Sequence, residues 1–301
     1  MLRKLLLFSV LFLYFIHLFS QKQEKEFATL LLYQDTLVSL QQKMFKGKND
    51  GEKYRANRIF LNILQRALNT KNSFEFGFDS LTSIARLVSP DKLFKIYNWN
   101  IPKEDGTHEY FGFIQAFTKK AKMYVVYPLI DKSGDVINPE NYISDNNKWY
   151  GMLYYKILEK KYKKKTSYIL LGWDGNDKLT SKKIIDVLSF SDDGSPRFGD
   201  GIFEMGKRLP KRVVFEYSAQ IVMSLKYDEQ RRLIVFDHLA PPSNGLEGQH
   251  QFYGPDMSYD GFIFKKGKWI YVEDVDARNS NNSKDKLYND PKANKIEEIK
   301  K

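Results

Sequence analysis

The sequence predicts an α+β fold that is mainly β: an N-terminal helical hairpin packed on an antiparallel meander, folded as a sandwich or a strongly curved sheet. Three observations predict it. Two apolar stripes at helical spacing lie between residues 24 and 70. From Phe74 onward, apolar residues come instead in short runs rich in Tyr, Phe, Val and Ile, separated by turn residues. Those runs recur about every ten residues with no long helix between them, which argues against parallel β-α-β units.

The chain opens with Arg3 and Lys4, then an apolar run from Leu5 to Phe19 broken only by Ser9 and His17, and ends that segment at Phe19-Ser20-Gln21. This is the pattern of a secretory signal peptide over residues 1–20, and the run is shorter than the ~20 residues a spanning helix needs. An uncleaved membrane anchor is the alternative. Residues 21–72 read as the helical hairpin. Phe27, Leu30, Leu31, Leu37, Val38 and Phe45 form the first stripe; Ile59, Phe60, Ile63, Leu64, Ala67 and Leu68 form the second. Gly47 and Gly51 break the pattern between them.

Residues 73–276 read as the antiparallel β domain. Ser89-Pro90-Asp91-Lys92 is a turn, because Pro presets its backbone angle and Ser and Asp bond locally. It joins Ile84–Val88 to Leu93–Trp99. Lys119-Lys120-Ala121-Lys122 joins Glu109–Phe117 to Met123–Leu129, and a lysine-rich stretch joins Trp149–Leu158 to Ser167–Trp173. Ile184–Phe190, Arg212–Tyr217, Ile221–Tyr227 and Leu233–Asp237 follow, and Lys265-Lys266-Gly267-Lys268 turns Gly261–Phe264 into Trp269–Val275. Residues 277–301 are polar and charged and read as a disordered tail.

Composition narrows the chemistry. Hydrophobic residues make up 42% of the chain and aromatics 15%, enough for a packed core. With zero cysteines there are no disulfides, thiolate metal sites or cysteine nucleophiles, so stability rests on burial. The formal charge of +11 falls to +9 once Arg3 and Lys4 leave with the signal peptide. In an exported protein the simpler reading is a solvated, lysine-rich surface; the other is attraction to an anionic envelope polymer, a glycan or lipid head groups, and nucleic acid is a poor partner. Lys156, Lys160, Lys161, Lys163, Lys164 and Lys165 concentrate the charge, a placement that also protects a sheet edge from pairing.

No G-x-S-x-G elbow, H-E-x-x-H helix or P-loop is present. The densest reactive segment is 237–260, read as a long loop holding Asp237, His238, His250, Asp256 and Asp260. One reading is a divalent-metal site from His238, His250 and either Asp237 or Asp256, able to activate water. The other is an Ω-type loop whose aspartates close turns. Asp174-Gly175-Asn176-Asp177, after Trp173, offers oxygen ligands for calcium or an ordinary turn, and the turn is the simpler reading. Trp99, Trp149, Trp173 and Trp269 fit the core better than a sugar-stacking face, with Trp173 and Asp174 kept as candidate binding residues.

Trp149-Tyr150-Gly151, Leu170-Leu171-Gly172-Trp173-Asp174-Gly175, Ile234 to Pro241 and Phe252-Tyr253-Gly254-Pro255-Asp256 together resemble a family of exported, uncharacterised β-rich proteins of Bacteroidetes-type bacteria, over roughly residues 75–276. The resemblance implies export and a β-rich body and transfers no catalytic residue. The expectation is a non-enzymatic binding or scaffolding module of the cell envelope, periplasmic or associated with the outer surface, with no cofactor. The alternative is a metal-assisted or carboxylate-based hydrolase of an envelope or extracellular polymer, using 237–260.

Overall fold

The computed structural model describes residues 2–276, with side chains described from Glu24 onward; the tail expected at 277–301 lies outside the described residues. Two helices come first, α1 (Leu2–Lys46) and α2 (Asp50–Leu68), and the rest is strand, 3₁₀ turn and loop. The segment read as a signal peptide therefore continues into the first helix of the hairpin as one 45-residue element. Among residues 24–276, whose side chains are described, no helix is long and apolar enough to cross a membrane. The start of α2 is set by Asn49, whose side chain accepts from the Glu52 N–H, while the Glu52 carboxylate accepts from the Lys48 N–H.

The fold is α+β and mainly β, as expected, with two N-terminal helices followed by antiparallel sheets; among the described residues fifteen strands build three sheets, one more than a sandwich has. The first is an antiparallel meander of β1 (Ala85–Val88), β2 (Phe94–Pro102), β3 (His108–Thr118) and β4 (Met123–Ile130). The second runs β5 (Ser144–Asp145), β9 (Pro196–Phe198), β8 (Thr180–Phe190), β7 (Lys165–Asp174), β6 (Leu153–Tyr162), with β11 (Val213–Ser218) also paired to β8. The third runs β10 (Phe203–Glu204), β15 (Lys268–Val272), β14 (Gly254–Lys265), β13 (Leu233–Ala240), β12 (Leu225–Asp228). Pairing is antiparallel except where β10 meets β15. The short strands β5, β9 and β10 were not visible as apolar runs, because two or three residues carry no period.

The sheets stack through strand alternation. On β2, Tyr97, Trp99 and Ile101 face the helices, beside Phe60, Leu64 and Leu68 of α2. Phe94 and Ile96 of the same strand face the second sheet, beside Tyr168, Leu170, Ile184 and Leu188. On β7 and β8 the alternate residues Ile169, Leu171, Ile185 and Val187 look the other way, onto Ile234, Phe236, Phe262 and Trp269 of the third sheet. The result is four layers with three apolar cores. Each fully buried Leu, Ile or Phe contributes about 1.5–3 kcal/mol. Trp99, Trp149 and Trp269 are fully buried, as expected of core tryptophans, and Trp99 donates its indole N–H to Asn57 of α2 at 2.8 Å.

One charged pair lies wholly inside. Arg212 and Asp186 are 0% exposed, with Arg212 Nε 3.2 Å from Asp186 Oδ1 and the guanidinium donating to the carbonyls of Pro139 and Tyr142. It ties the 133–148 connection to the second sheet. Removing one partner would strand the other charge, at a cost of about 3–5 kcal/mol.

Candidate functional site

The segment 237–260 is not one loop. The β13–β14 ladder pairs Asp237 with Tyr259 and resumes at Leu239 with Pro255, so His238 alone stands opposite Asp256, Met257 and Ser258. This is a β-bulge, a device that re-aims side chains. Met257 holds φ at 76° and is 93% exposed. The Asp256 carboxylate closes the bulge by accepting from the N–H and hydroxyl of Ser258 at 3.0 and 2.7 Å, bonds that also hold its pKa below the usual carboxylate range.

The bulge turns His238 toward a carboxylate the metal reading did not choose. His238 Nδ1 lies 2.7 Å from Oδ2 of Asp260, and the Tyr271 hydroxyl donates to the same oxygen at 2.6 Å. Asp260 is 4% exposed, while the His238 side chain keeps 44% of its surface. The bond to Asp260 raises the imidazole pKa, and burial followed by the same carboxylate raises that of the Tyr271 phenol. A histidine held by a carboxylate at one nitrogen can exchange a proton at the other.

The remaining candidates are engaged locally. Asp237 accepts from the Ser224 N–H at 2.7 Å and pins the loop before β12. The His250 ring lies 4.9 Å from that of Tyr253 in a short 3₁₀ turn. Among the described residues no three His, Cys, Asp or Glu side chains are grouped to hold a metal ion. Asp174 accepts from the Tyr110 hydroxyl and the Asn176 N–H, both at 2.8 Å, and Asp177 accepts from the N–H groups of Leu179 and Thr180. These are turn-closing bonds. Burial raises the pKa of Asp174. Trp173 is half-buried against the His108 ring at 5.5 Å. Gly175 is required beside it, since a Cβ there would meet His108 Nε2 at 2.3 Å.

A second constellation lies at the other end of the sheets, where hairpin turns from all three converge. The β3–β4 turn and the start of β7 share a cleft of about 360 Å³ lined by Phe117, Thr118 and Lys119 on one side and Thr166 and Tyr168 on the other. The Tyr168 hydroxyl reaches Asp91 of the β1–β2 turn at 2.6 Å. The Tyr162 ring, at the β6–β7 turn, lies against Gly267 of the β14–β15 turn, where a Cβ would come within 2.6 Å of it. Four turns thus meet in one place, and each carries lysine.

Each also holds a lysine in the left-handed backbone region: Lys92 at φ 58°, Lys122 at 52°, Lys163 at 53° and Lys266 at 49°. That conformation costs an L-residue other than Gly or Asn about 1–2 kcal/mol. All four are exposed, as are their turn neighbours Lys119, Lys120, Lys164 and Lys265. Lys161 and Lys165 nearby pair with Glu159 and Asp200 at 2.7 and 2.6 Å. The acids here are partly engaged: Asp91 by Tyr168, and Asp193 by Ser191 and Ser195, whose bonds hold its pKa at about 2.

Reading lysines 156–165 as edge protection missed this convergence. The signal was available in the alternation of a meander, whose first and third turns fall at the same end; what joins one sheet's turns to another's was not. Compared with known proteins, the chain matches no family model, no curated protein and no solved structure.

Proposed function

We propose that the protein is an exported binding module of the cell envelope, with the lysine end as its working face and a polyanionic envelope component as its ligand class. The observation that carries this reading is the set of four turns, each holding a lysine where glycine or asparagine would be cheaper for the fold. Backbone strain of this kind persists where it serves something other than the fold. The formal charge, +11 for the full chain and +9 without residues 1–20, adds a long-range attraction to anionic polymers.

The test is binding to soluble polyphosphate and dextran sulfate, titrated over ionic strength. Affinity is expected to fall steeply with salt, and to fall again when Lys92, Lys122, Lys163 and Lys266 are replaced by asparagine. Affinity that ignores both salt and those substitutions would remove the reading.

The His238–Asp260 pair supports a second reading, a hydrolase using acid–base chemistry at the bulge. Release of soluble fragments from envelope polymer by the wild type, and loss of that release in both His238→Ala and Asp260→Asn, would favour it over the binding module.

A further inference from the structure

We infer that the lysine end docks flat on an anionic lipid bilayer; this inference rests on that end being the binding face and names its partner. Lysines alone would suit any polyanion. What selects a bilayer is the apolar side chains set among them. Leu93, next to Lys92, is 45% exposed; Phe117, two residues before Lys119, is 40% exposed; Met123, next to Lys122, is 59% exposed. Leu93 and Phe117 share one face of the first sheet, where the Phe117 N–H donates to the Leu93 carbonyl at 2.8 Å, and Met123, paired across the ladder with Thr118, lies on the other face at the same end.

A soluble polymer gains nothing from such residues, whereas an interface offers acyl chain to the apolar tips and head-group charge to the lysines around them. A basic side chain near an anionic leaflet contributes about 1 kcal/mol, and lysine stems lie along apolar surface while their ammonium groups stay in the head-group layer. The exposed lysines of the four turns lie at the same end of the sheets as these apolar tips.

A second observation fixes the orientation. Helix α1 reaches this same end at Glu26, which accepts from the Asn72 side chain at 2.6 Å, with the Phe27 ring 5.9 Å from that of Phe76. Phe74 in turn stacks on Tyr124 at 3.9 Å, beside the β3–β4 turn. From there α1 continues toward Leu2, through the apolar run Leu5–Phe19. The helix therefore enters from the side on which the lysines lie. If that run is retained, it tethers the body with its lysine face toward the lipid; if it is removed, the turns make the contact themselves.

The experiment is co-sedimentation of the protein, purified as the cell makes it, with phosphatidylcholine vesicles and with vesicles containing about one-third phosphatidylglycerol, alongside the soluble polyphosphate titration. The wild type is expected to prefer the anionic vesicles, and to lose that preference at high salt. Asparagine at Lys92, Lys122, Lys163 and Lys266 should lower anionic-vesicle binding by roughly a thousandfold and weaken polyphosphate binding as well. Leu93→Ser with Phe117→Ser and Met123→Ser should lower vesicle binding while leaving polyphosphate binding as in the wild type. Equal binding to both vesicle types, or a serine variant that binds vesicles like the wild type, overturns the bilayer inference and leaves the polyanion reading standing. Lysine variants that change neither vesicle nor polyphosphate binding overturn both.

Discussion

The two ends of the sheets differ in what most of their charged turn residues do. At the end holding the β2–β3 and β7–β8 turns, carboxylates close the backbone. Asp50 accepts from the Glu104 N–H, Asp105 from Thr107, Asp131 from Tyr110, Ser133 and Gly151, and Asp174 and Asp177 from their own turns. Remove these residues and the fold loses its corners. At the other end Asp91 also accepts from the Leu93 N–H, but Lys92, Lys122, Lys163 and Lys266 form no ion pair among the described residues and hold left-handed backbone that glycine would accept more readily. The contrast separates polar residues that the fold needs from those that the fold tolerates. The second kind points to function.

The largest test of that contrast is at Asp174. Asp174→Ala leaves the buried Tyr110 hydroxyl and the Asn176 N–H without their acceptor and is expected to cost about 3 kcal/mol in urea unfolding. A change below about 0.5 kcal/mol would mean the corner is not structural. The lysine end should answer with the opposite sign. Asparagine at Lys92, Lys122, Lys163 and Lys266 is expected to raise stability by about 2 kcal/mol in total while binding weakens. A loss of stability there would erase the distinction between the two ends.

The smallest test uses two histidines that titrate in opposite senses. Burial lowers the pKa of His108, whose Nδ1 receives the Asn100 amide at 2.7 Å, so its contribution is present above the ordinary histidine range and is lost as pH falls through the folded value. Asp260 raises the pKa of His238, so its contribution is full below the ordinary range and is lost as pH rises through the folded value. Unfolding of His108→Gln and His238→Gln against the wild type at about pH 5 and about pH 8 should show the first substitution more harmful at the higher pH and the second at the lower. The same sign for both would break the assignment of their partners.

Much of the fold was legible in the sequence because its signals are local. The stripe through Phe60, Leu64 and Leu68 marked α2, and the turns at Ser89, Lys119 and Lys265 marked three hairpins that the structure contains. In the structure, alternation on β2 sends Trp99 and Ile96 to opposite cores. The third sheet was not legible, because strand count alone does not say how strands divide. The candidate site was half legible. His238 was singled out, but its partner Asp260 was passed over for Asp256, since a bulge shifts register by an amount no periodicity reports. The meeting of Lys122, Lys163 and Lys266 depends on how separate sheets stack, information that lies in the packing rather than in any one segment.

The middle sheet has a consequence for cooperativity. Because β7 and β8 give alternate residues to two cores, neither core can open without exposing the other's wall. The amide hydrogens of Ile169–Leu171 and Ile184–Val187 should therefore exchange with solvent only when the whole β body unfolds, while those of β12 exchange through smaller openings. A sheet shared in this way makes separate melting of its neighbours impossible, so a load applied at the lysine end is borne by the whole β body at once.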